Sequence, residues 1–151
     1  MVATDGSDLV KRAVKLAVEI ARLSEAKIYA VHVITLEGNS IFHSSNEEQK
    51  KALREQLKTE SIKATDYVEN VGRASNIGVE SIILEGNPAN EILNFAEQND
   101  IDLIVMGTHG KTAIQRFLIG SVSENVVRHS KRAVLVVRGE SADLLFKDLI
   151  K

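Results

Sequence analysis

The sequence contains no cysteine and no tryptophan, and only one proline, two tyrosines and four phenylalanines. Without cysteine there are no disulfides, thiolate metal sites or thiol nucleophiles. So few aromatic rings leave little for stacking unpaired bases, and 19 basic against 21 acidic residues provide no basic footprint. No nucleic-acid partner is therefore expected. No apolar run approaches the roughly 20 residues that span a bilayer, and the first residues lack the apolar stretch of a secretory leader. We expect no membrane partner and a cytoplasmic location. Four histidines remain as possible ligands, but none stands in a spacing such as HExxH, so no dedicated metal site is expected.

What the chain does have is alternation. Its 151 residues suit one domain. "MVAT" is a short apolar run ending in the turn Asp5-Gly6-Ser7, and Leu9, Val10, Ala13, Val14, Ala17, Ile20 and Ala21 then recur at helical spacing, with Asp8 placed to cap. Residues 27–34, 79–84, 101–107 and 133–138 are β-branched, apolar runs that read as strands. Between them lie a loop at 35–46, a long helix with Leu53, Leu57, Ala64, Val68 and Val71 on one stripe, a helix opening near Pro88, and a short helix over 121–130. The charges of 47–58 read as the wet face of the long helix. Five strands alternating with helices predict a doubly wound α/β domain with a five-stranded parallel sheet and helices on both faces. The domain is expected to occupy residues 1–138, with an amphipathic extension over 139–151. Ligands of such sheets sit beyond the carboxyl ends of the strands, which directs attention to Asp5, Val33, Gly86 and Gly107 onward.

"GTHGKT" at 107–112 looks like the end of a Walker A loop, but that motif needs a glycine five residues before Gly110, where Val105 stands inside a strand. The P-loop reading is set aside. "TDGSDL" likewise lacks the paired glycines of the pyrophosphatase loop. What survives is the spacing Gly107, Gly110, Gly120 with Ser121, Val122 and Ser123 opening a helix, whose free N–H groups attract anions. This describes a phosphate cradle. The plainer alternative is a glycine-punctuated connection with Ser121 and Glu124 as a capping box.

These residues, with "VATDGS" at 2–7, "GNPANEIL" at 86–93 and "VLVVR" at 134–138, resemble the universal stress protein family, whose nucleotide signature is Gx2Gx9G(S/T). The resemblance covers about residues 2–138. It implies a homodimer formed through the last strand, 133–138, and an adenine nucleotide, ATP or AMP, with Mg2+ or Mn2+ bound through its phosphates. It would place Gly107 and Gly110 against ribose and phosphates, and Gly120, Ser121, Val122 and Ser123 on phosphate oxygens. Asp5 would lie near the ribose and the metal-bridged phosphates, the Val33 backbone on adenine, and Ala3 and Met106 along base and sugar. The chain departs from the family in having only four residues ahead of Asp5 and a longer ending after Arg138.

His109 lies between two site glycines and reads as a loop residue rather than a general base. Lys111, Arg116 and Arg128 are candidates for phosphate contact, of which one is expected to touch the ligand. His32 reads as a core or sheet-end histidine, and His43 lies in a polar loop without an evident partner. No catalytic residue is assigned. The expected function is ATP binding by a regulatory module of the stress response, with an unknown protein partner and little or no hydrolysis. The alternatives are a slow ATPase or phosphotransferase, and a dimeric interaction protein that binds AMP or no nucleotide.

Overall fold

The computed structural model describes residues 1–36, 46–108 and 119–139. Five strands, β1 Val2–Ala3, β2 Ile28–Ile34, β3 Val79–Glu85, β4 Leu103–Gly107 and β5 Ala133–Val137, form one parallel sheet in the order β3-β2-β1-β4-β5. The helices are α1 Lys11–Ser24, α2 Glu47–Ala74, α3 Pro88–Gln98 and α4 Ser121–His129.

Alternate side chains of the strands feed two separate cores. Val2, Ala30 and Val105 pack with Val14, Val18 and Val68 of α1 and α2 on one face. Ala3, Val31, Ile104 and Met106 pack with Ile92, Ala96 and Val126 of α3 and α4 on the other. The sheet is thus covered on both faces, which is why β2, β4 and β5 are near-continuously apolar, whereas β3 at the edge carries Glu80, Ser81 and Glu85. Each fully buried valine contributes about 1.5–3 kcal/mol through its removal from water.

Asparagines cap two helices: the side chains of Asn46 and Asn87 accept from the N–H groups of Gln49 and Asn90, and Pro88 fills a first-turn position that needs no N–H. The cap expected of Asp8 is absent. Asp8–Val10 form a 3-10 turn before α1, and Asp8 pairs instead with Lys11 at 2.6 Å. Hydrogen bonding to the Lys11 ammonium holds its carboxyl below the usual range.

The central strand is the shortest. β1 pairs with β2 only at Val2–Ala30 and Ala3–Val31, and with β4 at Val2–Val105. The Met1 nitrogen donates to Leu103 O at 2.8 Å, and Val105 N donates to Met1 O at 2.9 Å. These bonds hold the strand although it is so short. β2 runs on to Ile34 and β4 to Gly107, so both neighbours overhang the end of β1 and leave a crevice between them.

Candidate functional site

The order of strands reverses direction at β1: the chain builds outward through β2 and β3, then crosses to β4 and β5. The crevice above β1 lies at this switch point, where open α/β sheets take their ligands. A cavity of about 480 Å³ fills it. Its lining includes Ala3, Asp5, Val33, Met106, Gly107, Gly120, Ser121, Val122 and Ser123. Nine of the ten residues expected from the sequence are therefore brought to one cavity; the tenth, Gly110, lies outside the described residues, as do His43, His109, Lys111 and Arg116. Arg128 does not line the cavity; it sits on the exposed side of α4, bonded to Glu124 at 2.8 Å.

The wall from the α3 and α4 side is apolar: Ala3, Val33, Ile92, Met106 and Val122 form a slot between strand ends and helices. The backbone supplies polarity within it. Thr4 N bonds Val31 O at 2.9 Å, and Gly86 N bonds Ile34 O at 3.0 Å. In a strand, successive residues direct their N–H and C=O to opposite sides. Val31 faces β1 and Ile34 faces β3, so Val33 directs its N–H and C=O toward the side where β1 has already ended. Among the described residues no strand pairs with them, which leaves one donor and one acceptor side by side in an apolar slot.

Opposite the slot stands the turn after β1. Asp5 Oδ1 accepts from Ser7 N at 3.0 Å and from Ser7 Oγ at 2.7 Å. Asp5 Oδ2 is buried and has no hydrogen-bond partner among the described residues. Gly6 makes the turn possible with φ of +74°, and α2 closes upon it: a Cβ at Gly6 would meet Ala64 Cβ at 3.0 Å.

The third wall is the start of α4. Gly120 is its N-cap, with φ −64° and ψ 155°, and Glu124 N donates to Gly120 O at 2.9 Å as the first bond of the helix. The capping box is thus corrected: Ser121 is the first helical residue, and no side chain caps the helix. The N–H groups of Ser121, Val122 and Ser123 precede the bonded ladder, where the helix end carries about half a positive charge. Ser121 is exposed, and the Ser123 hydroxyl, on a residue only 4% exposed, donates to Gly107 O at 2.7 Å.

Sequence reasoning missed several residues of the lining. Thr4, Leu57, Glu60, Pro88 and Ile92 contribute to it, and His32, read as a core or sheet-end residue, lines its wall half-buried. Leu57 and Glu60 come from α2, one turn apart, and no local signal marks them as facing a ligand cavity. Among the described residues no group of three or more His, Asp or Glu gathers to hold a metal ion.

Residues 1–138 match the model of the universal stress protein family. The chain belongs to that family. Universal stress protein MJ0531 of Methanocaldococcus jannaschii is 38% identical over 138 residues, which cover 91% of this chain and 80% of that protein. Among solved structures, protein MJ0577 of the same organism is 33% identical, with a TM-score of 0.73 over 89% of this chain and 91% of that one. A universal stress protein from Archaeoglobus fulgidus solved in complex with dAMP is 26% identical, with a TM-score of 0.61 over 91% of this chain and 94% of that one. At least one relative of the same fold therefore holds an adenine nucleotide. Within the described residues no helix is long and apolar enough to cross a membrane.

Proposed function

We propose that this universal stress protein binds ATP in the crevice above β1 and acts as a cytoplasmic, nucleotide-dependent regulatory module of the stress response. The observation that carries this reading is the convergence, among the described residues, of an apolar slot, a buried carboxylate oxygen without a partner and a helix N-terminus without a side-chain cap on one cavity of about 480 Å³. Each wall suits one part of the ligand. The Val33 N–H and C=O match the acceptor and donor on one edge of adenine, and the slot of Ala3, Val33 and Met106 takes its faces. Asp5 Oδ2 accepts a hydrogen bond from a ribose hydroxyl or, with phosphate oxygens, binds a Mg2+ or Mn2+ ion. The N–H groups of Ser121, Val122 and Ser123 receive phosphate oxygens, with Gly120 allowing close approach.

A metal would rest mainly on the nucleotide's own phosphates, with Asp5 as the protein oxygen, because the described residues offer no fuller ligand set. Hydrolysis requires an oriented water and a cation that stabilises developing charge. Among the described residues the lining contains no lysine or arginine, which favours retention of ATP over turnover. AMP fits the same slot, and fewer of the cradle's N–H groups would then be used.

The outer side of β5 is the other functional surface. It is an edge strand of apolar sequence, and proteins cover such edges. Two-fold pairing of β5 with its counterpart in a second copy would produce a homodimer and bury the edge.

The test is identification, by mass spectrometry and chromatography, of the nucleotide that co-purifies, followed by measurement of phosphate release. ATP retained without release supports the proposal. Steady release identifies an ATPase instead. No bound nucleotide, together with no thermal shift on adding ATP and magnesium, would overturn the reading.

A further inference from the structure

Ser123 is the third residue of α4, a position from which a serine side chain ordinarily turns to solvent or to its own helix. Here its hydroxyl reaches 16 residues back to Gly107 O, at 2.7 Å, in a buried setting. Gly107 is the last residue of β4 and Ser123 lies in the first turn of α4, so the bond joins two walls of the cavity. One residue after Gly107 and three residues before Ser123 lies a second rung, Gly120 N to Thr108 O at 2.7 Å. Thr108 N in turn donates to Val137 O of β5 at 3.0 Å. The start of α4 is thereby tied to the sheet by one side-chain bond and one main-chain bond.

A serine hydroxyl has a single proton. While that proton lies on Gly107 O, the oxygen can present only lone pairs to a phosphate, which would repel it. The residue expected to hold a phosphate oxygen can therefore do so through its backbone N–H alone. We infer that Ser123 is a positioning residue, whose side chain sets the separation between Gly107 and the helix N-terminus and keeps the cradle open to the width a nucleotide needs. This rests on the nucleotide reading for its effect on binding, whereas the clamp itself is a property of the ligand-free protein.

Two variants of nearly equal shape separate the hydroxyl from packing: Ser123→Thr keeps it, and Ser123→Val replaces it with a methyl group. In the full chain, ATP with magnesium is titrated calorimetrically, and hydrogen exchange at the Gly120 amide is followed by NMR without nucleotide. The Thr variant is expected to bind within about threefold of the parent. The Val variant is expected to lose about tenfold in affinity, the usual size of one buried hydrogen bond, and to exchange the Gly120 amide about tenfold faster. Should the Val variant fold poorly, Ser123→Ala provides the same comparison with less bulk. Weaker ATP binding with unchanged Gly120 exchange would mean that the hydroxyl contacts phosphate directly, and would overturn the inference. Equal affinity and equal exchange in the Thr and Val variants would overturn it as well. If the parent binds no ATP, the nucleotide reading falls, and the exchange comparison still decides the clamp.

Discussion

Ser7 holds one oxygen of Asp5 with two donors, its N–H at 3.0 Å and its hydroxyl at 2.7 Å, and the other oxygen stays buried with no partner among the described residues. The turn so fixes the carboxylate in orientation while leaving half of it unsatisfied. A buried, unpaired carboxylate oxygen costs stability and is retained where it serves a ligand.

From this follows opposite movement of stability and affinity in Asp5→Asn. The amide oxygen can still accept both bonds from Ser7, and the buried negative charge is gone. The melting temperature should equal or exceed the parent's, and ATP affinity should fall about tenfold as a charge-assisted contact is lost. Differential scanning calorimetry and titration of the same preparation check both. A lowered melting temperature with unchanged affinity would assign Asp5 to the turn alone.

Gly6 turns the chain with φ of +74° and rests against Ala64 of α2. In Gly6→Ala the added Cβ enters a left-handed conformation, which costs about 1–2 kcal/mol, and also presses on Ala64 Cβ at 3.0 Å. For a chain of this length the melting temperature should drop by roughly 2–4 °C per kcal/mol. Nucleotide affinity should fall with it because Asp5 moves with the turn. A thermal melt and an ATP titration measure the two effects.

Gly120 has φ −64°, a value open to any residue, so Gly120→Val introduces no left-handed strain. Its branched side chain would instead occupy the space through which phosphate approaches Ser121 and Val122. ATP binding should be lost, with the far-ultraviolet circular dichroism spectrum unchanged. Retained affinity would reject the cradle.

Strand geometry also selects a variant that separates dimerisation from folding. Because Val137 O faces β4, where it accepts from Thr108 N, the alternation turns the N–H of Val134 outward from the sheet. Val134→Pro removes that outward donor and leaves the β4 ladder its bonds. Light scattering should change from twice the chain mass to the chain mass, with nucleotide binding preserved. A parent that is already monomeric would refute the pairing of β5.

The sequence carried the fold because its signals were local: apolar runs too uniform for one-sided burial, and helices stepped at 3.6 residues. It pointed to Gly107, Gly120 and the serines after it, which line one cavity, because they are defined by spacing. It failed wherever a residue's neighbour is distant. Glu60 and Leu57 reach the cavity only because α2 packs on the turn at Gly6, and the Ser123 partner lies across the fold on β4. Asp8 was misread because a capping residue and the first residue of a 3-10 turn have the same composition. The alternative that made Ser121 the cap is off by one position, and the registers of Gly120 and Ser121 differ only in a backbone angle that composition does not encode.

The short β1 has one more consequence. β2 overhangs it by three residues, from Val31 to Ile34, about 10 Å at the usual strand rise. The donor and acceptor exposed along that overhang are the backbone N–H and C=O of Val33, in the peptide units on either side of its Cα, and are the same whatever side chain is attached. An alanine scan along β2 would therefore pass over the proposed backbone contact to adenine, and Val33→Ala should report only the lost packing of its side chain in the slot. Only lengthening β1 to cover the Val33 backbone, or replacing the His32–Val33 amide with an ester, would test that contact.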